Sequence, residues 1–153
     1  MKKKVAKKTS KKPVKKSAKK TAAKKTFVKT IVRTPDAPAA IGPYSQGVRA
    51  GNTVYFAGQI PLDPATGELV AGGIAEQADR VLQNISALVK AVGATLDNVV
   101  KSTVYMVDLG MFAEMNAVYS KYFTKDHPAR VTIQVAGLPK GSLVEIDVVV
   151  VLN

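Results

Sequence analysis

Arg130 and Glu145 stand fifteen positions apart in PARVTIQVAGLPKGSLVEI, which otherwise reads as two apolar strands joined by a turn. A guanidinium offers a planar fork of donors that can hold a carboxylate through two parallel hydrogen bonds, which a lysine cannot imitate. A carboxylate within hydrogen-bond reach of a water can orient it and manage its protons. Taken alone, both residues have a plainer account: arginines are mostly exposed, and Glu145 alternates with Asp147 along one face of a strand. Asp147 serves as an internal control, with the same chemistry one strand repeat further on. Tyr44 in GPYSQG brings a ring and a hydroxyl, and Gly58 in AGQI lets a ligand approach the main chain closely. Packing accounts equally for the tyrosine, and a turn or bulge for the glycine.

Other chemistries have less to work with. The chain has no cysteine, which removes a thiol nucleophile, a thiolate metal site and a disulfide framework. His127 is the only histidine, so a multi-histidine metal cage is ruled out. A Ser-His-Asp hydrolase would rest on His127 alone, and its place between Asp126 and Pro128 marks a turn residue. AGGIAEQ puts glycines before a helix without phosphate-loop spacing or a Gly-Lys-Ser/Thr ending.

The elements that must position these residues begin at Phe27. FVKTIVR reads as a strand, and TPDAPAAIGPYSQG as a loop whose shape is set by prolines and glycines. VRAGNTVYFAGQI predicts a hairpin turning at Gly51–Asn52, and PLDPATGELV bends at Asp63–Pro64 and Thr66–Gly67. Ile74, Ala78, Val81, Leu82, Ile85, Leu88, Val89 and Val92 keep the helical repeat, with Glu76 and Asp79 early and Gly93 as the stop. NVVKSTVYMV is a strand. Asp108 is placed to cap a second helix carrying Phe112, Met115, Val118, Tyr119, Tyr122 and Phe123. ARVTIQV and LVEIDVVVVL are the last strands, joined at GLPKGS. The order β, ββ, α, β, α, ββ predicts an α+β layer, a mixed sheet with two helices on one face. In the last strand, Glu145 and Asp147 share a face with Val149 and Val151, and the opposite face is wholly apolar. That apolar face is expected to be buried against another subunit, a long loop being the alternative cover.

Charge divides the 153-residue chain in two, as a lysine-rich tail over residues 1–26 and one domain over residues 27–153. Thirteen of the 23 basic residues fall within residues 1–25, where no acidic residue occurs, leaving ten against all eleven acidic ones in the remainder. The net charge of +12 therefore belongs to the tail, and the domain is close to neutral. Like charges at that density, with little apolar surface, predict disorder and a polyelectrolyte arm able to contact DNA or RNA without sequence specificity. A solubility tail without a dedicated partner is the alternative. The tail has no apolar run of the secretory type and no arginine of the mitochondrial type, and KKPVKK resembles a nuclear address. No apolar run approaches the roughly 20 residues of a membrane span. These features fit a cytoplasmic protein, with nucleoid or nuclear association through the tail.

APAAIGPYSQGV, GQIPLDPATGELV, VVKSTVYMVDLGMFAEMNAVYSKYF and PARVTIQVAGLPKGSLVEIDVVV together resemble the Rid family, also called YjgF or the L-PSP endoribonuclease family. The resemblance covers residues 27–152 in order, and nothing in it matches the lysine tail. It implies a chorismate-mutase-like α+β subunit in a homotrimer, whose sheets form a central barrel with clefts between neighbouring subunits. It implies hydrolysis of reactive 2-enamine/2-imino acids, such as 2-aminoacrylate, to 2-keto acids and ammonia, without cofactor or metal. Other members are described as ribonucleases or translation inhibitors, so a nucleic-acid-associated trimer is the rival function. Under the resemblance Arg130 holds the substrate carboxylate and Glu145 positions and activates water. Tyr44, Gly58 and Thr132 shape the cleft, and Asn116 on the second helix is structural. The chain departs at two positions: Ala57 replaces a serine before GQ, and Thr132 replaces a cysteine. Losing the serine hydroxyl removes one contact worth about 1 kcal/mol, while the backbone carbonyl of residue 132 is retained.

Overall fold

The computed structural model describes residues 28–153, so the predicted disordered tail lies outside the described residues. Three strands, β1 (Lys29–Val32), β2 (Gly47–Ala50) and β3 (Thr53–Gln59), pair antiparallel in sequence. The β2–β3 turn falls at Gly51–Asn52, as predicted, with Gly51 at φ +65°. Helix α1 spans Ile74–Ala91 and begins where the Gly73 N–H donates to Glu76 Oε2 at 2.8 Å. It stops at Gly93, whose φ of +74° turns the chain so that its N–H meets the Lys90 carbonyl at 2.9 Å. The helical repeat read from the sequence is its buried face: Ala78, Val81, Leu82, Ile85 and Leu88 are wholly enclosed. Each of the valine, leucine and isoleucine side chains among them contributes about 1.5–3 kcal/mol by leaving water.

Strand β4 (Val99–Met106) leads through a short 3₁₀ turn into helix α2 (Phe112–Tyr122), then to β5 (Ala129–Gln134) and β6 (Val144–Val151). Asp108 caps that turn, its Oδ1 accepting from the Gly110 N–H at 2.8 Å. The sheet order is β1-β2-β3-β6-β4-β5, antiparallel throughout except for the parallel pair β4–β5. Although GLPKGS joins β5 to β6 in sequence, the two do not pair, because β4 lies between them. The α2 crossover is long enough to return β5 parallel to β4 and place it on the sheet edge.

One expectation is corrected. The wholly apolar face of β6, Val144, Ile146, Val148 and Val150, is not a subunit contact but the core, covered by α1 within the same chain. A helix with a broad apolar stripe was already available to cover it, and the two make one cluster. The uncovered face is the one that carries Glu145 and Asp147. Tyr55, Val131 and Ile133 also point to it, and each is 40% exposed or more.

Buried polar side chains on α1 set the loops that flank this sheet. Asn84 Nδ2 donates to the Leu62 carbonyl at 2.9 Å, and Gln77 Oε1 accepts from the Leu143 N–H at 2.8 Å. Tyr122 ties α2 to α1 through a 2.7 Å hydrogen bond to Asp79, and burial pushes its hydroxyl up to about 12. No helix among the described residues is long and apolar enough to cross a membrane.

Candidate functional site

Tyr44, Gly58 and Glu145 come together in one cleft of about 360 Å³, closed by Ile41, Leu62 and Pro139. Gly58 lies in a β-bulge. The register of β3 against β6 slips between Phe56 and Gln59, so that Ala57 and Gly58 face Asp147 alone. Such bulges re-aim neighbouring groups. Here the bulge brings the Gly58 backbone against Glu145: a Cβ on Gly58 would overlap the carboxylate and lie 3.1 Å from Glu145 Cγ. Of the two readings the sequence allowed, the structure has the bulge, and the group that approaches the Gly58 main chain is the Glu145 side chain. Gly58→Ala is therefore expected to displace the Glu145 carboxylate and to lower the melting temperature, with the circular-dichroism spectrum unchanged.

The loop bearing Tyr44 is held by Gln46, a residue whose role the sequence did not reveal. Its Nε2 donates to the carbonyls of Thr34, Ala37 and Pro38 at 3.0, 3.1 and 2.8 Å, and its Oε1 accepts from the Thr34 N–H at 2.8 Å. Because Gln46 is buried, these bonds exchange for no water and fix the loop over the cleft. The only hint was its position inside GPYSQG. Tyr44 stays half-exposed, its hydroxyl accepting from the Ile41 N–H at 3.4 Å.

Glu145 is half-buried, and its pKa is raised, by burial first and then by the like charge of Asp147. Asp147, the control residue, is occupied differently, accepting a 2.8 Å hydrogen bond from the Tyr105 hydroxyl. The two ion pairs among the described residues, Arg80–Asp63 and Lys125–Asp97, leave Glu145 and Arg130 without a counter-ion.

Arg130 belongs to a second concavity of about 380 Å³, with Asn116, Tyr119, Ser120, His127 and Pro128. Asn116 thus lies beside the arginine, and His127, the expected turn residue, is in the connection before β5. Ser102 on β4 is in register with Arg130 on one side and Val148 on the other, so all three point toward the helices. Glu145, an odd number of residues from Val148, points to the opposite face. A single chain consequently keeps Arg130 and Glu145 on different sides of the sheet. Thr132, two residues after Arg130, shares its side, and its Oγ1 is buried with no hydrogen-bond partner among the described residues. No group of three or more His, Cys, Asp or Glu side chains gathers among the described residues.

A family model described as endoribonuclease L-PSP matches residues 34–152, covering every residue of both concavities. The chain belongs to the Rid family. A RutC family protein of Pyrococcus abyssi is 53% identical to this Rid chain over 116 residues, covering 76% of it and 91% of the relative. The 2-iminobutanoate/2-iminopropanoate deaminase of Bos taurus is 51% identical over 118 residues, covering 77% and 86%. A crystal structure of a Rid family protein from Yersinia pestis, of unknown function, superposes with a TM-score of 0.80 at 41% identity, covering 82% of this chain and all of that one. The mixed six-stranded sheet with two helices is the Rid fold.

Proposed function

We propose that this Rid protein is a cofactor-independent deaminase that hydrolyses 2-enamine and 2-imino acids to 2-keto acids and ammonia. The observation that carries the proposal is the Glu145 carboxylate, without a counter-ion among the described residues and resting against Gly58 in a cleft beside Tyr44. The 51% identity to the bovine deaminase supports the choice of substrate class. Arg130 would grip the carboxylate of the imino acid, leaving C2 as the electrophile. Glu145 would take a proton from water as its oxygen bonds to C2. The C2–N π bond opens and that proton passes to nitrogen, giving a 2-amino-2-hydroxy acid. Glu145 then moves the hydroxyl proton to nitrogen, the C2–N bond breaks, ammonia leaves, and the C2 oxygen becomes the keto group.

Because Arg130 and Glu145 lie on opposite faces of one sheet, the site requires two copies, with Arg130 of one meeting Glu145 of the next. The uncovered face of the sheet, with Tyr55, Val131 and Ile133, is the surface such copies would bury, and a homotrimer closes the arrangement with equivalent clefts. The decisive assay is ammonia and keto-acid release from freshly generated 2-aminoacrylate. Wild-type protein no faster than buffer would contradict the proposal.

Charge segregation favours a second, separable role for the tail. Thirteen lysines with no acidic residue in residues 1–25 form a polycation attached to a neutral domain, and three such arms on a trimer would bind nucleic acid with salt-sensitive avidity. Deleting residues 1–25 is expected to abolish retention of DNA and RNA while leaving deaminase turnover unchanged. RNA cleavage that persists in the purified truncated protein and is lost on Arg130→Ala would favour a ribonuclease instead.

A further inference from the structure

Tyr119 was legible in the sequence only as part of an apolar helix face, yet it sits under the guanidinium of Arg130. Arg130 Cζ lies 4.6 Å from the centre of the Tyr119 ring and 5.6 Å from that of Phe112. We propose that Tyr119 is a positioning residue, whose locked ring holds the Arg130 guanidinium flat and aimed for a planar carboxylate. The inference rests on Arg130 being the carboxylate anchor of the deaminase.

Tyr119 is itself immobilised from two directions. Its hydroxyl shares a 2.7 Å hydrogen bond with Ser102 Oγ, and its ring stacks on Phe123 at 4.5 Å with the planes 27° apart. Ser102 is wholly buried and Tyr119 is 4% exposed, so neither can exchange its partner for water. Arg130 lies directly across the strand pair from Ser102, which places the arginine and the residue that locks its platform on neighbouring strands.

The choice of an aromatic partner has a chemical consequence. An acidic partner would also fix the arginine, but it would occupy the N–H groups that the substrate needs. A ring engages the face of the guanidinium and leaves the donors along its edge free for a carboxylate. Among the described residues no acidic side chain pairs with Arg130. Burial raises the Tyr119 pKa, so its hydroxyl stays protonated and hydrogen-bonded near neutrality.

The test compares Tyr119→Leu, Tyr119→Phe and Phe112→Leu in the full-length protein. An arginine-selective NMR spectrum reads the Arg130 Hε proton, identified by its loss in Arg130→Lys and shifted upfield by the rings beneath it. 2-Oxobutanoate is the probe ligand. Tyr119→Leu is expected to move the Hε signal to the position of exposed arginines and to weaken 2-oxobutanoate binding on the order of tenfold, with KM for the imino acid rising in parallel and kcat falling less. Tyr119→Phe keeps the ring and is expected to retain the shifted signal and binding within about threefold. Phe112 is on the surface, so Phe112→Leu should fold normally, with a smaller loss of shift and affinity; it decides the matter if Tyr119→Leu does not fold. An Hε signal and an affinity at wild-type values in Tyr119→Leu, or in Phe112→Leu where Tyr119→Leu does not fold, would overturn the proposal. If wild-type protein fails to bind 2-oxobutanoate, the anchor role of Arg130 falls, and the Hε signal alone then shows whether the ring orders the side chain.

Discussion

Glu145→Gln is expected to lower kcat for imino-acid hydrolysis about a thousandfold and, at the same time, to raise the melting temperature at pH 7. Glutamine keeps the shape and can still hydrogen-bond a water, but it cannot take the proton that attack at C2 releases. The stability gain follows from the direction of the Glu145 pKa. Burial, and secondarily Asp147, raise it in the folded state, so the ionised carboxylate weighs against folding. That penalty is present wherever the group is charged and disappears as the pH falls through the folded-state pKa. The melting advantage of Glu145→Gln should therefore shrink between pH 7 and the ordinary carboxylate range. A variant that is inactive but less stable at pH 7 would mean that Glu145 supports the fold rather than strains it.

Arg130→Lys, conservative in charge, is expected to lower kcat/KM about a hundredfold, and Arg130→Ala further still. A lysine offers a point charge where the carboxylate needs a fork, and losing one charge-assisted bond of that kind costs about 1.5–3 kcal/mol. The lysine ammonium also lacks a flat face to lie on Tyr119 and Phe112, so it loses its orientation as well as its second donor. Steady-state kinetics with generated 2-aminoacrylate measures the effect. Comparable kcat/KM for Arg130→Lys and wild type would show that only charge is required there.

The fold was readable because its signals are periodic. The α1 stripe, the Gly51–Asn52 turn and the Gly93 stop follow from local chemistry and stand where the sequence places them, whereas Asp108 caps the 3₁₀ turn before α2 and not α2 itself. What failed was a long-range assignment. Alternation along β6 separates its two faces but carries no label for which one meets α1, and the more apolar face went to the helix rather than to a second copy. The strand order was hidden for the same reason, since GLPKGS shows that the chain turns and not that β4 comes between β5 and β6.

The candidate site was readable in its residue types and opaque in its geometry. Tyr44, Gly58 and Glu145 meet in one cleft, while Arg130, Thr132 and Asn116 lie on the other side of the sheet. The residues that hold these groups were missed. Gln46 looks like any loop glutamine until its four hydrogen bonds are traced, and Tyr119 and Ser102 look like ordinary core and strand positions. Supporting roles of this kind depend on contacts between distant segments, which leave no local pattern to read.

The most direct test of a site shared between copies is to mix two inactive variants. Arg130→Ala and Glu145→Gln are unfolded together, refolded at equal concentration and assayed for keto-acid release from 2-aminoacrylate. In randomly assembled rings one cleft in four receives Arg130 from one subunit and Glu145 from its neighbour, so the mixture should recover about a quarter of wild-type activity. If both residues acted within one chain, every chain would carry a lesion. Activity no higher than that of the separate variants, in rings shown by mass to be mixed, would contradict a cleft built from two subunits.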